Sequence, residues 1–174
     1  GVADEHVAVA RERPDVVHSQ HPFLLGDNAL RIASLYNVPL VFTHHTMYEQ
    51  YTHYVPGDSP VLQRFIIDLT TSYANLCDRV FAPSESVASV IRDRGVIVPI
   101  DVVPTGVDTQ HFGRGDRRSL RKELGIGENA FVVGHLGRLA PEKNLEFLAE
   151  AVVLMLNRHR SAHFLVVGSG PSTE

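Results

Sequence analysis

Arg138 and Lys143 share one short loop between an apolar run, Phe131–Leu136, and a segment whose apolar residues, Leu145, Leu148, Ala149, Val152 and Leu156, repeat at helical spacing. The run ends at Gly137 and predicts a buried parallel strand. Pro141 suits a first helical turn, where its missing N–H has no partner to lose. Two cations beside a helix N-terminus, which already presents free N–H groups and a positive dipole end, call for an anion. A phosphate group answers all three. The plainer alternative is a surface loop whose Arg and Lys only face water. Gly134-His-Leu-Gly137 lacks the G-x-G-x-x-G spacing, so a nicotinamide oxidoreductase gains no support.

A second cluster lies at Thr43-His-His-Thr-Met-Tyr-Glu-Gln-Tyr-Thr-His-Tyr54, with three His, three Tyr and a Glu. Metal binding is one reading, but no H-E-x-x-H or comparable ligand spacing is present. Tyr48, Glu49, His53 and Tyr54 could instead stack on and hydrogen-bond a sugar or a lipid head group, forming an acceptor loop. His45 has a plain alternative as a structural histidine whose ring is satisfied by backbone.

The elements that must position these clusters alternate strand and helix. Val16–His18 and Leu40–Thr43 predict strands, with a loop at His21–Gly26 and an amphipathic helix through Ala29, Ile32, Ala33 and Leu35 between them. A long helix follows from Pro60, with Leu62, Phe65, Ile66, Leu69, Tyr73 and Leu76 as its core face. Arg79–Ala82 is the next strand, and Ser84 the N-cap of a helix ending near Gly95. Gly113–Arg118 predicts linker, Ser119–Leu124 a short helix, and Phe164–Gly168 the strand that completes a second β-α-β. Repeated β-α-β implies parallel sheets with helices on their faces and ligands at the carboxyl ends of the strands. The fold class is therefore α/β. A first helix over Asp4–Arg13 completes the expected elements.

With 174 residues, 44% hydrophobic, 21% charged and a net charge of −4, the composition is that of a globular protein with no global attraction for nucleic acid. One cysteine, Cys77, excludes an internal disulfide and predicts a packed thiol. No apolar run reaches membrane-span length, which makes a cytoplasmic protein the default expectation. The start without Met and the end after a strand suggest a piece of a longer chain.

Gly137-Arg-Leu139 with Glu142-Lys-Asn144 resembles the G-R-L-x-x-E-K-N signature of family-4 glycosyltransferases of the GT-B fold. Thr43-x-His45, Ala82-Pro-Ser-Glu85 and Pro104-Thr-Gly-Val-Asp108 followed by Phe112 match the same family in the same order. The 42–54 stretch resembles bacterial enzymes that glucosylate diacylglycerol. The resemblance implies two Rossmann-like domains: an acceptor-side domain at 1–108, a linker at 109–118 and the start of a donor domain at 119–174. It implies a retaining enzyme whose donor is a nucleotide-diphosphate sugar. Gly137, Arg138 and Lys143 would hold the diphosphate, and His45 would position the sugar as the catalytic residue. The acceptor would be a sugar or a lipid such as diacylglycerol, with peripheral contact at the inner face of the membrane. No cofactor and no obligatory metal are implied. The alternatives are a catalytically incomplete binding module and a GT-B sugar-nucleotide epimerase.

Overall fold

The computed structural model describes residues 13–54 and 56–173, so the helix expected over Asp4–Arg13 lies outside the described residues except at its last position. The chain divides into two compact units, Gly1–Gly106 and Val107–Glu174.

The first unit is built on four parallel strands, β1 (Val17–Ser19), β2 (Leu40–Thr43), β3 (Arg79–Ala82) and β4 (Ile100–Val102), lying in chain order. Val41 faces Arg79 across β2–β3, and Val80 faces Ile100 across β3–β4. Helices α1 (Leu25–Tyr36), α2 (Pro60–Asn75) and α3 (Glu85–Asp93) connect them. Two hydroxyls set the helix starts: Ser59 accepts from the Leu62 N–H at 3.2 Å, and Ser84 from the Val87 N–H at 3.3 Å. Alternation puts Leu40 and Phe42 on the buried side of β2, and Val80 and Ala82 on that of β3. Phe42, Val80 and Ile91 are wholly enclosed, and Tyr73 meets Phe42 edge-on at 5.1 Å.

Three expectations need correcting here. The loop expected through Gly26 ends earlier, because α1 begins at Leu25; Gly26 packs so close to Tyr73 that a Cβ would lie 2.9 Å from the ring. The core face of α2 only partly matches the one predicted, Tyr73 being buried as expected. Thr70, Tyr73 and Ala74 are buried, while Phe65 and Leu76 are 58% and 65% exposed. Thr70 can turn inward because its hydroxyl donates to the Ile66 carbonyl at 2.6 Å, a local bond that a count of apolar residues overlooks. β4 was not anticipated at all.

Cys77 is buried in this core, as its sequence position predicted, and burial pushes its thiol up to about 12. It should therefore resist a thiol-specific disulfide reagent at pH 8 in the folded chain and react once denaturant is added. Because the folded value lies above the unfolded one, Cys77 favours the native state below pH 9, and that contribution is lost as pH rises from 9 towards 12.

The second unit begins with one helical turn, α4 (Thr109–Phe112), capped by the Asp108 carboxylate on the His111 N–H at 2.9 Å. Linker was expected through Arg118, but Asp116 accepts from Arg118 and Ser119 N–H groups at 3.0 and 3.2 Å and starts α5 (Arg117–Glu123) at Arg117. Strands β5 (Val132–Leu136) and β6 (His163–Val167) pair in parallel across α6 (Leu145–Arg158). The expectation of a buried strand fails for β5. Phe131 and Leu136 are 61% and 83% exposed, because β6 is the only strand beside it among the described residues.

Candidate functional site

The loop from Gly137 to Asn144 leaves the carboxyl end of β5. Pro141 does not open α6; it opens a separate 3₁₀ turn, Pro141–Lys143. Asn144, in the left-handed region at φ 50, then turns the chain into α6. Arg138 is not left facing empty space. It forms an ion pair with Glu142, whose side chain is only 4% exposed while that of Arg138 is 49% exposed. The anion the sequence called for is thus partly supplied from within the motif. Lys143 is exposed and, among the described residues, has no ion-pair partner.

The loop is braced by the turn after β6. Gly137 and Leu139 N–H groups donate to the Val167 and Ser169 carbonyls at 3.0 Å each, and the Ser172 N–H donates to the Leu139 carbonyl at 3.0 Å. A Cβ at Gly168 would land on the Gly137 carbonyl, and one at Gly170 on that of Leu139. Glycine is required at both because two backbones touch. The Gly137 N–H is already spent in this bracing, and a Cβ there would meet the His135 ring at 3.7 Å.

In the first unit the carboxyl ends of β1 and β2 carry a chain of polar contacts. His18 Nε2 and Thr43 Oγ1 are 2.7 Å apart, and Gln20 Nε2 lies 3.0 Å from the same imidazole nitrogen. His45 Nε2 lies 3.0 Å from the Gln20 carbonyl, and its Nδ1 lies 3.0 Å from Thr46 Oγ1. A carbonyl only accepts, so Nε2 carries the proton and Nδ1 of the neutral ring accepts from Thr46. The ring is exposed but held in one orientation. Beside it, His44 is buried at 3% exposure, its Nδ1 without a hydrogen-bond partner among the described residues, and burial foremost lowers its pKa.

The acceptor-loop candidates occupy a 3₁₀ segment, Tyr48–Tyr54. Tyr48 packs edge-on against His21 at 5.3 Å and Phe23 at 5.2 Å, and burial raises its phenol pKa. Glu49 forms a half-buried ion pair with Arg94 at 2.7 Å. Tyr54 is 48% exposed, with the His53 ring 4.1 Å away and the Tyr51 ring stacked at 6.3 Å. Tyr48 and Glu49 therefore anchor the segment; His53 and Tyr54 are exposed.

The family model for glycosyltransferase family 4 matches residues 6–111. The chain belongs to glycosyltransferase family 4. It is 30% identical to an alpha-monoglucosyldiacylglycerol synthase of Streptococcus pneumoniae over 90% of this chain and 37% of that protein. It is 33% identical to a D-inositol 3-phosphate glycosyltransferase of Actinosynnema mirum over 95% of this chain and 41% of that one. The chain thus spans about two-fifths of the length of these curated relatives. The Anabaena HepE structure in complex with UDP and glucose superimposes with a TM-score of 0.69 at 20% identity, covering 97% of this chain and 43% of its own. The fold is accordingly α/β of the GT-B type.

Within this family-4 chain, the residues that sequence reasoning passed over are Gln20, Thr46, Glu142 and Arg94. Glu142 sat inside the recognised signature, four residues from Arg138, where a one-turn salt bridge is a standing option. The other three carried no spacing signal. Among the described residues, no group of three His, Cys, Asp or Glu side chains could hold a metal ion, and no helix is long and apolar enough to cross a membrane.

Proposed function

We propose that the complete gene product is a retaining glycosyltransferase that moves a sugar from a nucleoside-diphosphate sugar to an acceptor hydroxyl. The observation that carries this reading is the Lys143 ammonium, exposed and without an ion-pair partner among the described residues, on the loop that also bears Arg138. The family supports it, as does the likeness in fold to a protein crystallised with UDP and glucose. Arg138 and Lys143 neutralise the diphosphate, and their charge counts most as the sugar bond breaks and negative charge gathers on the leaving phosphate. Gly137 keeps the loop low enough for the phosphates to approach. No metal is obligatory, since the two cations do its work; transfer should persist after treatment with a chelator.

His45 contacts the transferred sugar, a sugar oxygen replacing the Gln20 carbonyl as the acceptor of its Nε2 proton. His45→Ala should lower kcat about tenfold to a hundredfold, in line with one lost hydrogen bond to developing charge. Unchanged transfer by that variant would remove His45 from the site.

The acceptor is a lipid of the diacylglycerol kind, met at a membrane face and handled by the 48–54 segment, a reading supported by the name of the S. pneumoniae relative. The inositol-phosphate relatives keep a soluble polyol as the second candidate. The experiment is to supply the complete gene product with UDP-glucose and either dioleoylglycerol in mixed micelles or inositol 3-phosphate, and to read the product's anomeric proton by NMR. An α-linked glucosyl lipid supports the proposal in full. A β-linked product overturns retention, and a product formed without acceptor points to the epimerase alternative.

A further inference from the structure

Arg94 lies outside every motif that marks the family resemblance, yet it makes a long-range contact to the 48–54 segment. It is the C-cap residue of α3, forty-five positions away in sequence from Glu49. One terminal nitrogen, Nη2, donates to Glu49 Oε1 at 2.7 Å; the other, Nη1, lies 3.6 Å from Met47 Sδ. The two side chains are only 23% and 13% exposed, so this pair is shielded far more than an ordinary surface bridge. The remaining anchors hold other points of the segment. Tyr48 is fixed by rings from the loop after β1, and the Thr52 hydroxyl lies 2.7 Å from the Asp58 carboxylate.

We propose that Arg94 is the positioning residue of the acceptor-side segment, gripping Met47 and Glu49 so that the segment keeps one conformation toward the acceptor. The inference rests on the acceptor reading of residues 48–54 given above and adds the residue that enforces it. A planar fork suits this task, since two points of one segment are held by two nitrogens of one rigid group. Lysine could keep the charge on Glu49 but not the second contact. The diphosphate cations Arg138 and Lys143 stand in the other unit, so the two substrates should respond differently.

The test is steady-state transfer by the complete gene product from UDP-glucose to dioleoylglycerol in mixed micelles, with KM measured for each substrate. Arg94→Met should raise the acceptor KM tenfold or more and leave the UDP-glucose KM within twofold. Arg94→Lys should fall between the two, and the exchanged pair Glu49→Arg with Arg94→Glu should recover part of the loss. If Arg94→Met does not fold, Glu49→Gln, which keeps the side-chain shape, takes its place with the same expectation. An unchanged acceptor KM in these variants, with Tyr54→Ala still impaired for the acceptor, overturns the role of Arg94 and leaves the acceptor reading standing. An acceptor KM that stays unchanged in Tyr54→Ala as well, or no transfer to dioleoylglycerol by the unaltered enzyme, overturns the acceptor reading and the proposal with it.

Discussion

Lys143→Ala in the complete gene product is expected to lower turnover by about ten- to a hundredfold while leaving thermal stability close to that of the unaltered protein. The magnitude follows from one charge-assisted hydrogen bond, worth roughly 1.5–3 kcal/mol, acting where charge develops. The silence in stability follows from the side chain's exposure and its lack of an ion-pair partner among the described residues. Arg138→Ala should differ. It removes the guanidinium that accompanies Glu142, a carboxylate only 4% exposed, and so costs stability as well as turnover. Breaking an enclosed pair costs about 3–5 kcal/mol; with Arg138 itself half exposed, about 1–3 kcal/mol is the sensible expectation. The pairing of measurements is therefore diagnostic: kcat for both variants, and the melting temperature for each. A Lys143→Ala protein that melts early, or an Arg138→Ala protein that loses turnover without any loss of stability, would show that the two cations have been assigned the wrong surroundings.

Gly170→Val should be strongly damaging to the second unit. The position of its Cβ coincides with the Leu139 carbonyl, a backbone atom that cannot swing aside as a side-chain tip can. Overpacking of this kind costs about 1–3 kcal/mol when side chains give way, and more when only backbone can. The relaxation open to the chain is separation of the two loops, which sacrifices the bonds from Leu139 N–H to Ser169 and from Ser172 N–H to Leu139. Both bonds hold the loop carrying Arg138 and Lys143. Gly170→Val should therefore lose unfolding free energy and donor affinity together. Gly106→Ala is the natural control, since nothing lies within 4 Å of a Cβ there and its φ is not positive. Denaturant melts and UDP titration of both variants decide the matter.

Much of the frame is visible in residue types alone, and the reason differs by element. Leu40–Thr43 and Arg79–Ala82 are strands at the positions their β-branched and aromatic content predicts, and Ser59 and Ser84 cap helices because a hydroxyl there has one useful thing to do. α2 is the instructive partial failure. Its buried face takes Tyr73 as expected but also Thr70, whose hydroxyl bonds its own helix, while the apolar Phe65 is left exposed. The positions of Arg138 and Lys143 were legible from a local signature. Their electrical surroundings were not, because Glu142 folds back under a 3₁₀ turn that Pro141 begins and Asn144 ends. Arg94 was invisible for a different reason. A contact across forty-five residues depends on where α3 stops relative to the 48–54 segment, and no local pattern encodes that.

The central claim is that Arg138 and Lys143 grip a nucleoside diphosphate. Its most direct measurement is calorimetric titration of UDP into the complete gene product and into its Lys143→Ala variant, at one ionic strength. UDP is the natural probe because a structure of the same fold is known in complex with it. The account predicts saturable binding by the unaltered protein and an affinity at least tenfold weaker in the variant, with the difference shrinking as salt is raised. Equal affinity in the two proteins, or no UDP binding together with no binding of GDP or ADP, would contradict it.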